Sequence, residues 1–105
     1  MGEAEAEKLD DRDLTGAVRR FYCFYGRVQG VGFRFTASAI AEKLGLTGWV
    51  CNQDEHVEME VQGQPERIDQ MIRELHNDQD WIRIERMTLE ERPLKKTEKK
   101  FQITW

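Results

Sequence analysis

The chain has 105 residues, 39% hydrophobic and 34% charged, with a formal net charge of −4. That length holds a single core without disulfide staples, no apolar run approaches a membrane span, and two cysteines, Cys23 and Cys51, are too few for a disulfide framework. Residues 1–17 hold six acids and two bases, which accounts for the whole excess, so the remainder is about neutral, which argues weakly against an extended nucleic-acid footprint, since that usually needs a basic face.

The first stretch, MGEAEAEKLDDRDLTGA, is polar and acidic. It does not read as a secretory signal, and Gly2 is not followed by the serine or threonine of a myristoylation signal. Residues 1–17 are expected to form a disordered tail before a domain over 18–105, and the cytoplasm is the expected location. Arg19 to Tyr25 is short and aromatic and reads as a strand. Phe33, Ala37, Ile40 and Leu44 then recur at helical spacing, widened by Ala41 and stopped by Gly45, which predicts a helix over 33–44. Cys23 lies in the apolar strand, where a free cysteine serves as a small core residue; a Cys–His pair with His56 or His76 is the alternative.

Thr47 to Asn52 and Val57 to Gln62 read as strands. In the latter, Val57, Met59 and Val61 alternate with Glu58, Glu60 and Gln62, one face buried and one wet. Gln53 to His56 connects them as a hairpin without an Asn-Gly or Asp-Gly pair. Pro65 suits a first helical position, and Ile68, Met71, Ile72 and Leu75 make the apolar stripe of a second helix over 65–76, with His76 a cation at its end. Ile84, Met87 and Leu89 break strict alternation, which predicts a bulge near Glu85–Arg86. Pro93 ends that strand, and Phe101 to Trp105 forms the last. The order βαββαβ is that of an α+β, ferredoxin-like sandwich: an antiparallel sheet with two helices on one face.

The chemistry concentrates in GRVQGVGFR, Gly26 to Arg34. It places three glycines at a strand-to-helix junction and an arginine in the helix's first turn. A helix start leaves its first N–H groups without intrahelical acceptors, glycines let a ligand approach the backbone, and a guanidinium forks onto phosphate. Together these suit an anion cradle. The segment is neither a Walker loop nor the GxGxxG dinucleotide fingerprint.

GRVQGVGFR closely resembles the signature of the acylphosphatase family, and GWVCN, Gly48 to Asn52, resembles its second signature. Val57 to Gly63 and the Phe-x-Ile of Phe101 and Ile103 fit as well, so the resemblance spans about residues 18–105. It implies the same βαββαβ order and a metal-independent, cofactor-free hydrolysis of acyl phosphates. Arg34 is implied to bind the substrate phosphate, with the backbone amides of Val28, Gln29, Gly30, Val31 and Gly32 completing the cradle. Asn52 is implied to position the attacking water, while the side chains of Arg27 and Gln29 shape the loop. The turn after Asn52 departs from the family pattern: it is one residue shorter and lacks a glycine. Asp54 and Glu55 there would weaken anion binding if they pointed inward.

The alternative is a non-catalytic module of the same kind that binds a phosphorylated small molecule such as carbamoyl phosphate. A third reading, an RNA-recognition module, needs exposed aromatics on the central strands, with Tyr22 and Phe24 as candidates, but lacks the RNP1 pattern. Trp49 and Trp81 are expected as core or rim residues. No metal site is expected, because Glu55 and His56 have no third or fourth ligand at suitable spacing. The chain is read as a monomer that binds neither nucleic acid nor membrane.

Overall fold

β1 (Val18–Arg27) sets the two sides of the molecule by simple alternation. Tyr22 and Phe24 are fully buried in the core, whereas Phe21, Cys23 and Tyr25 lie half-buried on the opposite face. This computed structural model describes residues 14–30, 32–77 and 81–104; residues 1–13 (most of the expected acidic tail), Val31, residues 78–80 and Trp105 lie outside the described residues. The remaining elements are α1 (Phe33–Lys43), β2 (Thr47–Asn52), β3 (Val57–Gly63), α2 (Pro65–Asn77), β4 (Arg83–Arg92) and β5 (Phe101–Thr104). The strands form one sheet in the order β4-β1-β3-β2-β5.

Both helices pack on one face. Phe33, Ala37, Ile40 and Ala41 of α1 join Ile68, Met71 and Leu75 of α2 in one cluster with Tyr22, Phe24, Val50, Val57, Met59 and Val61. Each large apolar side chain sealed there contributes about 1.5–3 kcal/mol. α1 closes with Gly45 N–H donating to Glu42 O and Leu46 N–H donating to Ala41 O, the paired bonds of a Schellman end. The second motif's glycine, Gly48, has φ 141°, and a Cβ there would lie 1.9 Å from the Glu60 carbonyl oxygen. Gly48 therefore lets β2 lie close against β3; its part is structural.

The expected antiparallel sheet holds for β4, β1, β3 and β2. β5 instead pairs in parallel with β2, Ile103 opposite Val50. The cause is the connection from β4 at one edge to β5 at the other, which crosses the helix-free face. Glu98 from this connection bonds Arg19 at 2.7 and 3.1 Å, and Lys95 N–H donates to Gln62 Oε1 at 2.8 Å. Arg19, buried on that face, also pairs with Glu60 and donates to Gln62 Oε1 at 3.1 Å. Burial alone would lower its pKa, but hydrogen bonds to Glu98 and Glu60 outweigh burial and leave it raised.

The expected bulge lies at Glu85: Tyr25 pairs with Arg86 and Gly26 with Ile84, leaving Glu85 unmatched. Two apolar positions of that strand, Met87 and Leu89, are exposed, because β4 is an edge strand on which neither helix packs extensively. Tyr22 and Phe24, at 1% and 0% exposure, are core residues and cannot stack bases.

Candidate active site

Phe33 fixes the geometry of the glycine-rich loop. It is buried, with its ring centroid 5.1 Å from that of Phe24, so the first residue of α1 is anchored to β1. Gly32 is the N-cap, with φ 80° and ψ 18°, and no side chain caps the helix start. Gly30 has φ 73°, and a Cβ on either glycine would meet nothing within 4 Å. The glycines thus serve the left-handed bend, and they leave bare backbone facing open space. Thr36 N–H donates to Gly32 O at 2.9 Å, so the loop leads straight into the helical ladder.

Val28, Gly30, Gly32, Arg34 and Asn52 line one pocket of about 230 Å³, with Phe33, Phe35 and Ile103 completing the wall. Arg34 is the one charged side chain among these described lining residues. It is half-buried, with its Nη1 sealed from solvent. Asn52 reaches the same pocket because it shares the helix side of β2 with Val50. Its Oδ1 is buried and accepts no hydrogen bond among the described residues. A buried acceptor without a protein partner calls for an explanation, and where nothing meets it the cost is roughly 1–3 kcal/mol.

Of the expected amide donors, Val28, Gly30 and Gly32 line the pocket, and Val31 lies outside the described residues. The Gln29 side chain turns away: its Nε2 donates to the carbonyls of Gln53 at 2.5 Å and His56 at 2.8 Å. It grips both ends of the turn that follows Asn52, which Gln53 N–H closes onto His56 O at 2.8 Å. No non-glycine residue among those described has a positive φ, so the shortened turn needs no glycine. Asp54 and Glu55 are exposed, and neither lines the pocket.

Phe35, 77% exposed on the pocket rim, and Ile103 on β5 were not among the expected site residues. The Phe-x-Ile ending held a trace of Ile103, but only the parallel pairing of β5 brings it beside Asn52. Trp81 is 72% exposed and Trp49 half-buried, 6.2 Å from Phe21; neither lines the pocket.

The family model for acylphosphatase matches residues 20–103. The chain belongs to the acylphosphatase family. An acylphosphatase of Thermococcus kodakarensis is 45% identical over 71 residues, covering 67% of this chain and 78% of that protein. The crystal structure of acylphosphatase from Bacillus subtilis matches with a TM-score of 0.77 at 27% identity, over 84% of this chain and 99% of that one. Full-length HypF in its phosphate- and nucleotide-bound form matches at TM-score 0.78 and 33% identity, over 85% of this chain but 12% of HypF.

Within this acylphosphatase, Gln29 holds the turn that follows Asn52. Gln29→Ala is expected to lower kcat by roughly tenfold with little change in KM, as loss of a supporting contact does. Steady-state kinetics check this. An equal rise in KM would instead place Gln29 on the substrate.

Proposed function

We propose that the chain hydrolyses the carboxyl–phosphate bond of acyl phosphates, with Arg34 and the loop amides of residues 28–32 binding the phosphate and Asn52 positioning water. The observation that carries this reading is that Arg34, the one charged side chain among the described lining residues, and the buried carboxamide share one pocket with the bare-backbone bend. An acyl phosphate is a mixed anhydride with a good leaving group, so the protein's task is to neutralise charge and orient a nucleophile. Arg34 and main-chain N–H groups meet the phosphoryl oxygens between walls of Val28, Phe33 and Ile103, where low polarity strengthens the attraction. The Asn52 Oδ1 accepts a hydrogen bond from water and aims its oxygen at phosphorus. The oxygen–phosphorus bond forms as the bond to the acyl oxygen breaks, giving carboxylate and inorganic phosphate. The water's proton passes to a phosphate oxygen, so no titrating protein base is required.

We also read the protein as a cytoplasmic monomer. Cys23 and Cys51 are both free, which suits a reducing compartment.

The purified chain is expected to hydrolyse an aryl acyl phosphate in the presence of a chelator, with inorganic phosphate as a competitive inhibitor. Absent turnover with phosphate binding intact would transfer the site to the alternative, a non-catalytic module that holds a phosphorylated small molecule. The match to one segment of the phosphate-bound HypF makes that alternative worth the assay.

A further inference from the structure

The helix-free face of the sheet carries a second cluster, remote in chemistry from the phosphate pocket. Cys23 on β1 and Glu58 on β3 are cross-strand partners. His56 precedes Glu58 by two residues and shares its side of the chain. Each offers one donor atom, and these atoms all lie within 4.8 Å of one another. His56 Nε2 already stands 3.1 Å from Glu58 Oε2. All three residues are half-buried. The imidazole is oriented by stacking on Tyr25, with centroids 5.0 Å apart and planes at 27°. Gln53 Nε2 donates to Glu58 Oε1 at 3.4 Å, which leaves Oε2 turned toward His56.

We infer that Cys23, His56 and Glu58 form a binding site for a zinc-type divalent transition metal ion, with water as the fourth ligand. Thiolate, imidazole and carboxylate together are a borderline-soft set that suits zinc, whereas magnesium and calcium take oxygen ligands. A tetrahedral zinc ion with ordinary bond lengths separates such donors by about 3.3–3.6 Å. The His56–Glu58 pair already stands at about that separation, and the remaining donors need close by no more than about 1.5 Å, a movement of rotamers and not of strands. Thiolate and carboxylate balance the ion's two charges, and the thiol proton leaves to buffer on binding. The spacing along the chain hides this site, because its sulfur arrives through the β1–β3 register.

The site's role is structural. The His56 carbonyl is one of the two that Gln29 grips, so a bound ion braces the turn after Asn52 from the opposite face of the sheet. It does not enter the proposed hydrolysis, and its test does not depend on turnover.

The test is titration of the chelator-treated full chain with Co²⁺, read by absorption. Wild type should develop a thiolate-to-cobalt charge-transfer band and the visible bands of a four-coordinate ion, saturating at one equivalent and bleached by Zn²⁺. Cys23→Ser should lose the charge-transfer band, His56→Ala and Glu58→Gln should weaken binding, and Cys51→Ser should keep the full spectrum. Zn²⁺ should raise the Tm of wild type, since a ligand of the native state stabilises it, and leave that of Cys23→Ser where it was. Circular dichroism establishes that each variant is folded. No charge-transfer band in wild type, a band that survives in Cys23→Ser, or one that vanishes in Cys51→Ser would each overturn the assignment.

Discussion

Arg34→Ala is expected to lower kcat/KM for an aryl acyl phosphate by roughly 10³-fold or more, the scale on which arginines act in phosphoryl transfer. That corresponds to about 4 kcal/mol of transition-state stabilisation. The size follows from the pocket's composition. Arg34 is its only charged side chain among the described lining residues, and its neighbours Val28, Phe33, Phe35 and Ile103 screen charge poorly. Removing the guanidinium leaves the phosphoryl oxygens to backbone amides alone. Because the phosphate is charged both before and during reaction, the loss should divide between KM and kcat. Arg34→Lys should recover only part of it, since an ammonium is a point charge and cannot fork onto two oxygens. Steady-state kinetics on both variants decide the matter. If Arg34→Ala retained wild-type kcat/KM, the phosphate would have to be held elsewhere.

Most of the fold was legible because its elements obey short-range rules. The period of Phe33, Ala37 and Ile40 gave α1, the stripe of Ile68, Met71 and Leu75 gave α2, and the broken alternation at Ile84, Met87 and Leu89 marked the bulge at Glu85. What escaped was set by long-range pairing. A buried Arg19 tied to Glu60, Gln62 and Glu98 has no signature, since polar residues on a strand read as solvent-facing. The parallel entry of β5 was hidden for the same reason, and with it the place of Ile103 beside Asn52. The site's glycines, arginine and asparagine were legible as a motif. The Gln29 clamp on the turn was not, because a glutamine's partners are chosen by the fold and not by its neighbours in sequence. That clamp also answers the departure in the turn: two side-chain hydrogen bonds from outside do what a glycine would do from within.

Asn52→Ala should separate catalysis from stability. The expected result is a fall in kcat of roughly 10²–10³-fold, the usual cost of losing one preorganised polar contact to the reacting atoms. KM should stay near its wild-type value, because in the proposed hydrolysis the carboxamide acts on water and not on the bound phosphate. Asn52→Asp keeps the shape but sets a carboxylate beside an anion, so KM should rise as kcat falls. Thermal unfolding gives the deciding comparison. Oδ1 of Asn52 is a buried acceptor with no hydrogen bond among the described residues, so removing it relieves a desolvation cost instead of breaking a bond. Asn52→Ala should therefore unfold at the wild-type Tm or above it while losing turnover, the trade expected where a residue is kept for activity at the expense of stability. A drop in Tm that parallels the drop in rate would mean that Asn52 holds the structure together, and the water would need another guide.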